Sequence, residues 1–212
     1  MKLKVYSYRP KDLGSLFVVG GPGGSGASTI AKMLANKFGL HYIYGGALMR
    51  QYAQNMGYLD LDKFLKSDQF DGDDDVIDQM IDEKLIRSSQ WNNVLIDSKI
   101  FAALATNLQI PCTVKIWLDA SLEKRVRRTL HKTKILDLKE NLPLESKRFR
   151  KTAKELNDRY TLDKHRFKDM YGIDYDSPKK YNDIVIDSSP YGPGQTFNII
   201  LQEIKDGGYL TR

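Results

Sequence analysis

The residues most able to do chemistry lie between positions 20 and 29. They read Gly21-Pro22-Gly23-Gly24-Ser25-Gly26-Ala27-Ser28-Thr29. Gly21, Gly26 and Ser28 stand at the spacing of a phosphate-binding loop, which has a glycine, four residues, a second glycine, a lysine and then serine or threonine. Position 27, where that lysine belongs, is alanine. Glycines suit such a loop because backbone N–H groups must press against phosphate oxygens, where side chains would stand in the way. The helix start that follows adds unpaired donors and a partial positive charge. Ser28 would offer its hydroxyl to Mg²⁺. The alternative is a tight strand-to-helix turn with no ligand. The apolar Leu16–Gly20 before the loop and the periodic Ile30, Ala31, Met33, Leu34 and Ala35 after it favour phosphate binding. A hydrogen bond to a charged group contributes about 1.5–3 kcal/mol, so the missing lysine costs about tenfold to a few hundredfold unless another cation substitutes.

Other residues complete a nucleotide site by type and place. Asp97 ends an apolar run, and ligands of open parallel sheets sit at the carboxyl ends of strands. A carboxylate there can hold Mg²⁺ directly or through water, or it can cap the next helix. Lys99 follows two residues on, as a phosphate contact or a solvated lysine. Arg50 lies one helical turn beyond Gly45-Gly46, pointing at an acceptor phosphate or simply at water. Arg125, Arg127 and Arg128 form a basic cluster. Arg159 and Arg166 are seven residues apart, two helical turns, and Asp163 falls on the same face. Converging arginines stabilise the spread charge of a transferring phosphoryl group. The charge pattern by itself equally describes a solvated helix laced with i,i+4 pairs.

The elements that must position these residues alternate between strand and helix, which predicts a parallel sheet covered by helices. Strands are expected at Leu16–Gly20, His41–Tyr44, Trp91–Asp97, Thr113–Asp119 and Asp183–Asp187, with Asn92-Asn93 as a turn signal. The first helix is expected over Ser25–Phe38, ended by Gly39. Another opens at Tyr44–Arg50, and the last runs from about Gly194 to Lys205, after a Tyr191–Gly194 loop. Leu59–Ser88 reads as helical and acidic at its start. His131–Tyr171 is strongly charged, with a break near Asn141-Leu142-Pro143. In a phosphotransferase such segments bind substrate and close over it.

Bulk properties exclude several classes. With 212 residues, 41% hydrophobic and 28% charged, the chain suits one domain with a sizeable core. No apolar run spans a bilayer, and the first ten residues lack a signal peptide's apolar stretch. Cys112 is the one cysteine and reads as a packed thiol, so the cytoplasm is expected. A net charge of +6 fits an anionic partner, nucleotide or nucleic acid. Asp71–Asp75 imitates the start of a calcium loop, but its sixth and twelfth positions are Val76 and Asp82. It reads better as an N-terminal cap for a helix whose face is Val76, Ile77, Met80, Ile81 and Leu85. His41, His131 and His165 are scattered, without zinc spacing.

At these residues the chain resembles the cytidylate kinases of the P-loop nucleoside monophosphate kinase group, closest to the archaeal type. The resemblance runs from about Leu16 to Leu201. It rests on Gly20–Thr29, Gly45–Arg50, Leu95–Lys99, Ile116–Glu123 and Lys164–Asp174 taken together. It implies ATP-dependent phosphorylation of CMP or dCMP with Mg²⁺. It implies an α/β P-loop NTPase-type three-layer fold with a five-stranded parallel sheet. One domain over 1–212 would carry an N-terminal extension at 1–14, a monophosphate-binding insert at about 45–90 and a lid at about 129–165. By resemblance, Gly21, Gly23, Gly24, Ser25, Gly26, Ala27, Ser28 and Thr29 hold ATP, and Ser28 and Asp97 hold the metal. Gly46, Arg50, Lys99 and Asp163 bind the acceptor, Asp163 near its sugar or base. Arg128 faces ATP from the lid, and Arg159 and Arg166 join the transfer. A monomer acting on small-molecule nucleotides follows, with neither membrane nor nucleic acid as partner. Archaeal members often have threonine at position 27, so lysine is dispensable there. Gly45 for serine, Ser98 for glycine and Lys99 for arginine thin the acceptor contacts. A catalytically weak or inactive nucleotide-binding protein is therefore the alternative, and an RNA-associated protein using Lys147–Lys168 is a third.

Overall fold

The computed structural model describes residues 9–59, 61–64, 67–133, 143–144 and 146–210. The first eight residues of the expected N-terminal extension lie outside the described residues, as do Asn141 and Leu142 of the expected break. Five parallel strands form one sheet in the order β2-β3-β1-β4-β5. They are β1 Leu16–Gly20, β2 His41–Tyr44, β3 Val94–Asp97, β4 Val114–Asp119 and β5 Ile184–Asp187. Central β1 is buried along its whole length, which is why it reads as an unbroken apolar run.

Alternation along β1 divides the core. Phe17 and Val19 face one layer with Ile30, Leu34, Ile116 and Ile200. Leu16 and Val18 face the other with Ile77, Leu85, Ile96 and Phe101. The first layer takes α1 Ala27–Phe38 and α8 Pro193–Asp206; the second takes α4 Asp68–Ser88 and α5 Phe101–Asn107. Helices α2 Gly45–Asn55 and α3 Leu61–Phe64 lie between β2 and α4 in the chain. Helix α6 Leu122–Lys132 packs on α7 Lys147–Tyr171 through Val126, Leu130 and Phe149.

Several expected boundaries move. Helix α1 starts at Ala27 rather than Ser25, because Gly26 takes the N-cap position with φ +96°, open to glycine and costly for other residues. Its C-terminal Gly39, at φ +63°, ends the helix as expected. Strand β3 starts at Val94, since Asn93 turns at φ +50°. Helix α8 starts one residue early, with Pro193 in the first helical turn. The acidic run does not cap α4. It lies inside the helix, and Ser67 occupies the cap position. On α4, Ile77, Ile81 and Leu85 are buried, but Val76 and Met80 are exposed, so the apolar stripe is narrower than expected. Cys112 is packed, and burial pushes its thiol up to about 12.

Candidate functional site

The carboxyl ends of β1, β3 and β4 meet at the loop over 21–26. A Cβ on Gly21 would lie 2.2 Å from the Leu118 carbonyl oxygen. Gly24 has φ +83°, and a Cβ there would meet the Arg125 carbonyl oxygen at 2.6 Å. The loop therefore lies tight against β4 and α6, as a phosphate cradle requires. Ser25 is buried; its carbonyl accepts from Arg128 Nη1 at 2.7 Å and Ser188 Oγ at 3.0 Å. Leu156 of α7 lies over Gly23. Thr29 is exposed in the first turn of α1.

Beside the loop, Asp97 is 4% exposed at the end of β3. The Tyr42 hydroxyl donates to its Oδ2 at 2.6 Å, and the Ser28 hydroxyl is a further polar neighbour of the carboxylate. Burial pushes the Asp97 carboxyl above its ordinary range, with these hydrogen bonds and the charges of Lys32 and Lys132 opposing. Asp97 does not cap α5; Ser98 Oγ accepts from the Phe101 N–H instead, at 3.3 Å. A buried carboxylate beside the first-turn serine of α1 suits a hard divalent cation whose remaining ligands are phosphate oxygens and water. Among the described residues no group of three His, Cys, Asp or Glu side chains forms a metal site by itself.

Across from this pair stands a second cluster. Lys99 forms an ion pair with Asp163, and Asp163 is 4% exposed. Arg166 Nη2 lies 3.6 Å from Asp163 Oδ1, and Arg166 Nε lies 2.8 Å from Asp78 Oδ2. Arg159 is an electrostatic neighbour of Lys99. Burial lowers the Lys99 pKa, and Asp163 opposes that shift. This face of α7 is thus not the solvated one that its charge pattern equally described. Asp163 is paired with Lys99 and with Arg166, one turn along.

The remaining expected residues lie differently. Arg128 turns its guanidinium to the Ser25 carbonyl, to the Ser188 hydroxyl and carbonyl, and to the Tyr191 carbonyl. It braces the loop against the segment after β5. Burial lowers its pKa, and Asp187 opposes. Arg50 is exposed and stacks over the Tyr44 ring at 4.9 Å. Gly46 lies against that same ring, where a Cβ would come within 2.8 Å. Sequence reasoning missed Tyr42, Asp78 and Ser188. Tyr42 had a signal, since it belongs to a strand whose neighbour ends in Asp97. Asp78 had a weaker one, an acid on the buried stripe of α4 beside Ile77 and Ile81.

The fold and its loop have known counterparts. A family model described as an AAA domain matches residues 19–141. The cytidylate kinase of Methanocaldococcus jannaschii is 30% identical over 189 residues, covering 89% of this chain and 97% of that protein. The cytidylate kinase of Methanopyrus kandleri is 30% identical over 191 residues, covering 87% and 90%. Among solved structures, a shikimate kinase from Acinetobacter baumannii superposes with a TM-score of 0.54 at 15% identity, covering 91% of this chain and 93% of that one. A gluconokinase from Sinorhizobium meliloti gives 0.53 at 15% identity, covering 92% and 93%. At such identity the two structures speak for the fold alone, whereas the sequence relatives span nearly the whole chain: it belongs to the cytidylate kinase family of P-loop kinases.

Proposed function

We propose that this nucleoside monophosphate kinase transfers the terminal phosphoryl group of ATP to CMP or dCMP. The observation that carries the reading is the juxtaposition at one sheet end of the Ser28–Asp97 pair and the Lys99–Asp163–Arg166 cluster. The first is built for a cation and the donor phosphates. The second is built for an anionic acceptor. In this reading Gly21, Gly23, Gly24, Ser25, Gly26, Ala27, Ser28 and Thr29 hold the donor through backbone N–H groups. Ser28 and Asp97 hold Mg²⁺, which when bound offsets the charge building on the phosphate oxygens. Lys99, Arg159 and Arg166 meet the acceptor phosphate, and Asp163 orients them or accepts from the acceptor's sugar or base. Arg128 fixes the loop's shape. Arg50 and Gly46, with Tyr44, form the entrance on the insert over about 45–90, and the lid covers about 129–165. Little general-base help is needed, because positioning and charge stabilisation carry phosphoryl transfer. The same reading takes the chain as a cytoplasmic monomer acting on free nucleotides.

A coupled assay with Mg²⁺, ATP and each nucleoside monophosphate in turn tests this. CMP or dCMP should give the highest kcat/KM, and transfer to none of the acceptors would defeat the proposal. Ala27 and Lys99 favour a second reading, a nucleotide-binding protein that turns over poorly. Robust turnover by the natural sequence excludes it.

A further inference from the structure

Arg166 is held by carboxylates from two different helices. Asp163 lies one turn back on α7, with Oδ1 3.6 Å from Arg166 Nη2. Asp78 comes from α4, with Oδ2 2.8 Å from Arg166 Nε. The Arg166 and Asp78 side chains are 10% and 8% exposed. A buried ion pair is weak evidence of a stabilising contact, because taking both charges out of water offsets their attraction. Joining α4 to α7 does not require it either, since the Tyr171 hydroxyl makes a second tie to Asp82 at 2.7 Å. Stability alone therefore does not explain Asp78.

Distances bring α4 to the sheet end from one side and Arg166 from the other. Asp78, Asp82 and Leu85 lie on one buried stripe of α4. A Cβ on Gly45, at the start of α2, would lie 3.3 Å from Leu85 Cδ1 and 3.6 Å from the Asp97 carbonyl oxygen and from Ser98 Cβ. The stripe thus meets the carboxyl end of β3, where Lys99 follows. Arg166 reaches Lys99 through Asp163, which pairs with both. A guanidinium binds phosphate through a planar fork, so its use depends on how that plane is set. Gripped at Nε from α4 and at Nη2 from α7, the Arg166 plane keeps one orientation.

We infer that Asp78 is a positioning residue of the acceptor site: it sets the plane of the Arg166 guanidinium and moderates the positive charge that Lys99 and Arg166 present to an anion. The inference rests on the kinase reading above, in which Arg166 meets the acceptor phosphate. Asp78 makes and breaks no bond; it acts through Arg166.

Asp78→Asn is the test, because the amide keeps the shape and an acceptor oxygen and removes the charge. With Mg²⁺, ATP and the best acceptor, kcat should fall about tenfold, the contribution of one charged hydrogen bond in the transition state. The acceptor KM should not rise. By calorimetry, inorganic phosphate should bind about threefold tighter than to wild type, since a negative charge beside the cations is gone. A residue that only supports the fold would loosen the site and weaken phosphate binding. Tyr171→Phe is the control: it cuts the other α4–α7 tie, and its kcat should stay within about twofold. The inference is overturned by Asp78→Asn with kcat within about twofold of wild type, by weaker phosphate binding, or by an equal fall in Tyr171→Phe. Where Asp78→Asn does not fold, Asp78→Asn/Arg166→Gln replaces the whole pair with amides. Its kcat should match that of Arg166→Gln alone, and a further loss overturns the inference. If wild type transfers phosphate to no acceptor, the kinase reading has failed. Inorganic phosphate then decides the part played by Asp78: tighter binding to Asp78→Asn supports it, and equal or weaker binding overturns it.

Discussion

Asp97 is a buried carboxylate, and its burial works against its charged form. Its carboxylate is 4% exposed and accepts from the neutral Tyr42 hydroxyl, with the charges of Lys32 and Lys132 acting less strongly on it. Burying a charge with neutral partners costs stability, and an amide of the same shape does not pay that cost. Asp97→Asn should therefore raise the melting temperature of the ligand-free protein while weakening the site. The Mg²⁺ concentration giving half-maximal turnover should rise at least about tenfold, as expected when a charged cation contact becomes a neutral one. Calorimetry and a Mg²⁺ titration of the rate check both halves. A variant that is less stable and fully active would assign Asp97 to the fold. Tyr42→Phe separates the two effects, since it leaves the charge and removes the phenol that holds it.

At the scale of elements, α4 and α7 are tied by side chains near the Lys99–Asp163–Arg166 cluster. Arg166 reaches Asp78, and the Tyr171 hydroxyl donates to Asp82 Oδ2 at 2.7 Å. Burial pushes the Asp82 carboxyl up to about 6, with Tyr171 and Arg166 opposing. A carboxyl raised on folding contributes stability that is fully present below its unfolded value near 3.8 and is lost as pH rises through about 6. A rise from 3.8 to about 6 corresponds to at most about 3 kcal/mol. Urea denaturation at pH 4.5 and 7 should show wild type losing stability over this range, and Asp82→Asn losing less, because the amide oxygen still accepts from Tyr171. Equal slopes would refute the assignment. The sequence made the strands legible, since β1, β3 and β4 are short apolar runs closed by turn residues. It made the loop legible, since a motif fixes its backbone. It did not reveal that Lys99 meets Asp163, sixty-four residues apart, nor that Arg128 is spent on Ser25 and Ser188. Those pairings depend on how α6 and α7 lean across the sheet end, and no local periodicity encodes that angle. The stripe on α4 failed for a related reason: spacing marks five positions, and packing against β3 and α5 buries only some.

The whole molecule carries a formal net charge of +6, which attracts any polyanion, so the question at this scale is what the surplus serves. On α7 the outward lysines are partly matched in place: Lys151 with Glu155 at 3.9 Å and Lys154 with Asp158 at 2.6 Å. The cations nearest the phosphate loop are instead drawn inward, with Arg125 and Arg128 held against it. An RNA-binding face needs an open basic stripe, and its affinity falls steeply with salt because it depends on counterion release. A concave nucleotide site keeps its ligand at moderate salt. Melting curves at about 150 mM salt separate the two. A ligand at one hundred times its Kd adds about 2.7 kcal/mol, which for a chain of this size is a rise of about 5–10 °C. ATP with Mg²⁺ should give a rise of that order, and CMP should add a further one. A single-stranded RNA at equal phosphate concentration should give almost none. A rise with RNA that exceeds the rise with nucleotides would move the function from the loop to the outer face of α7.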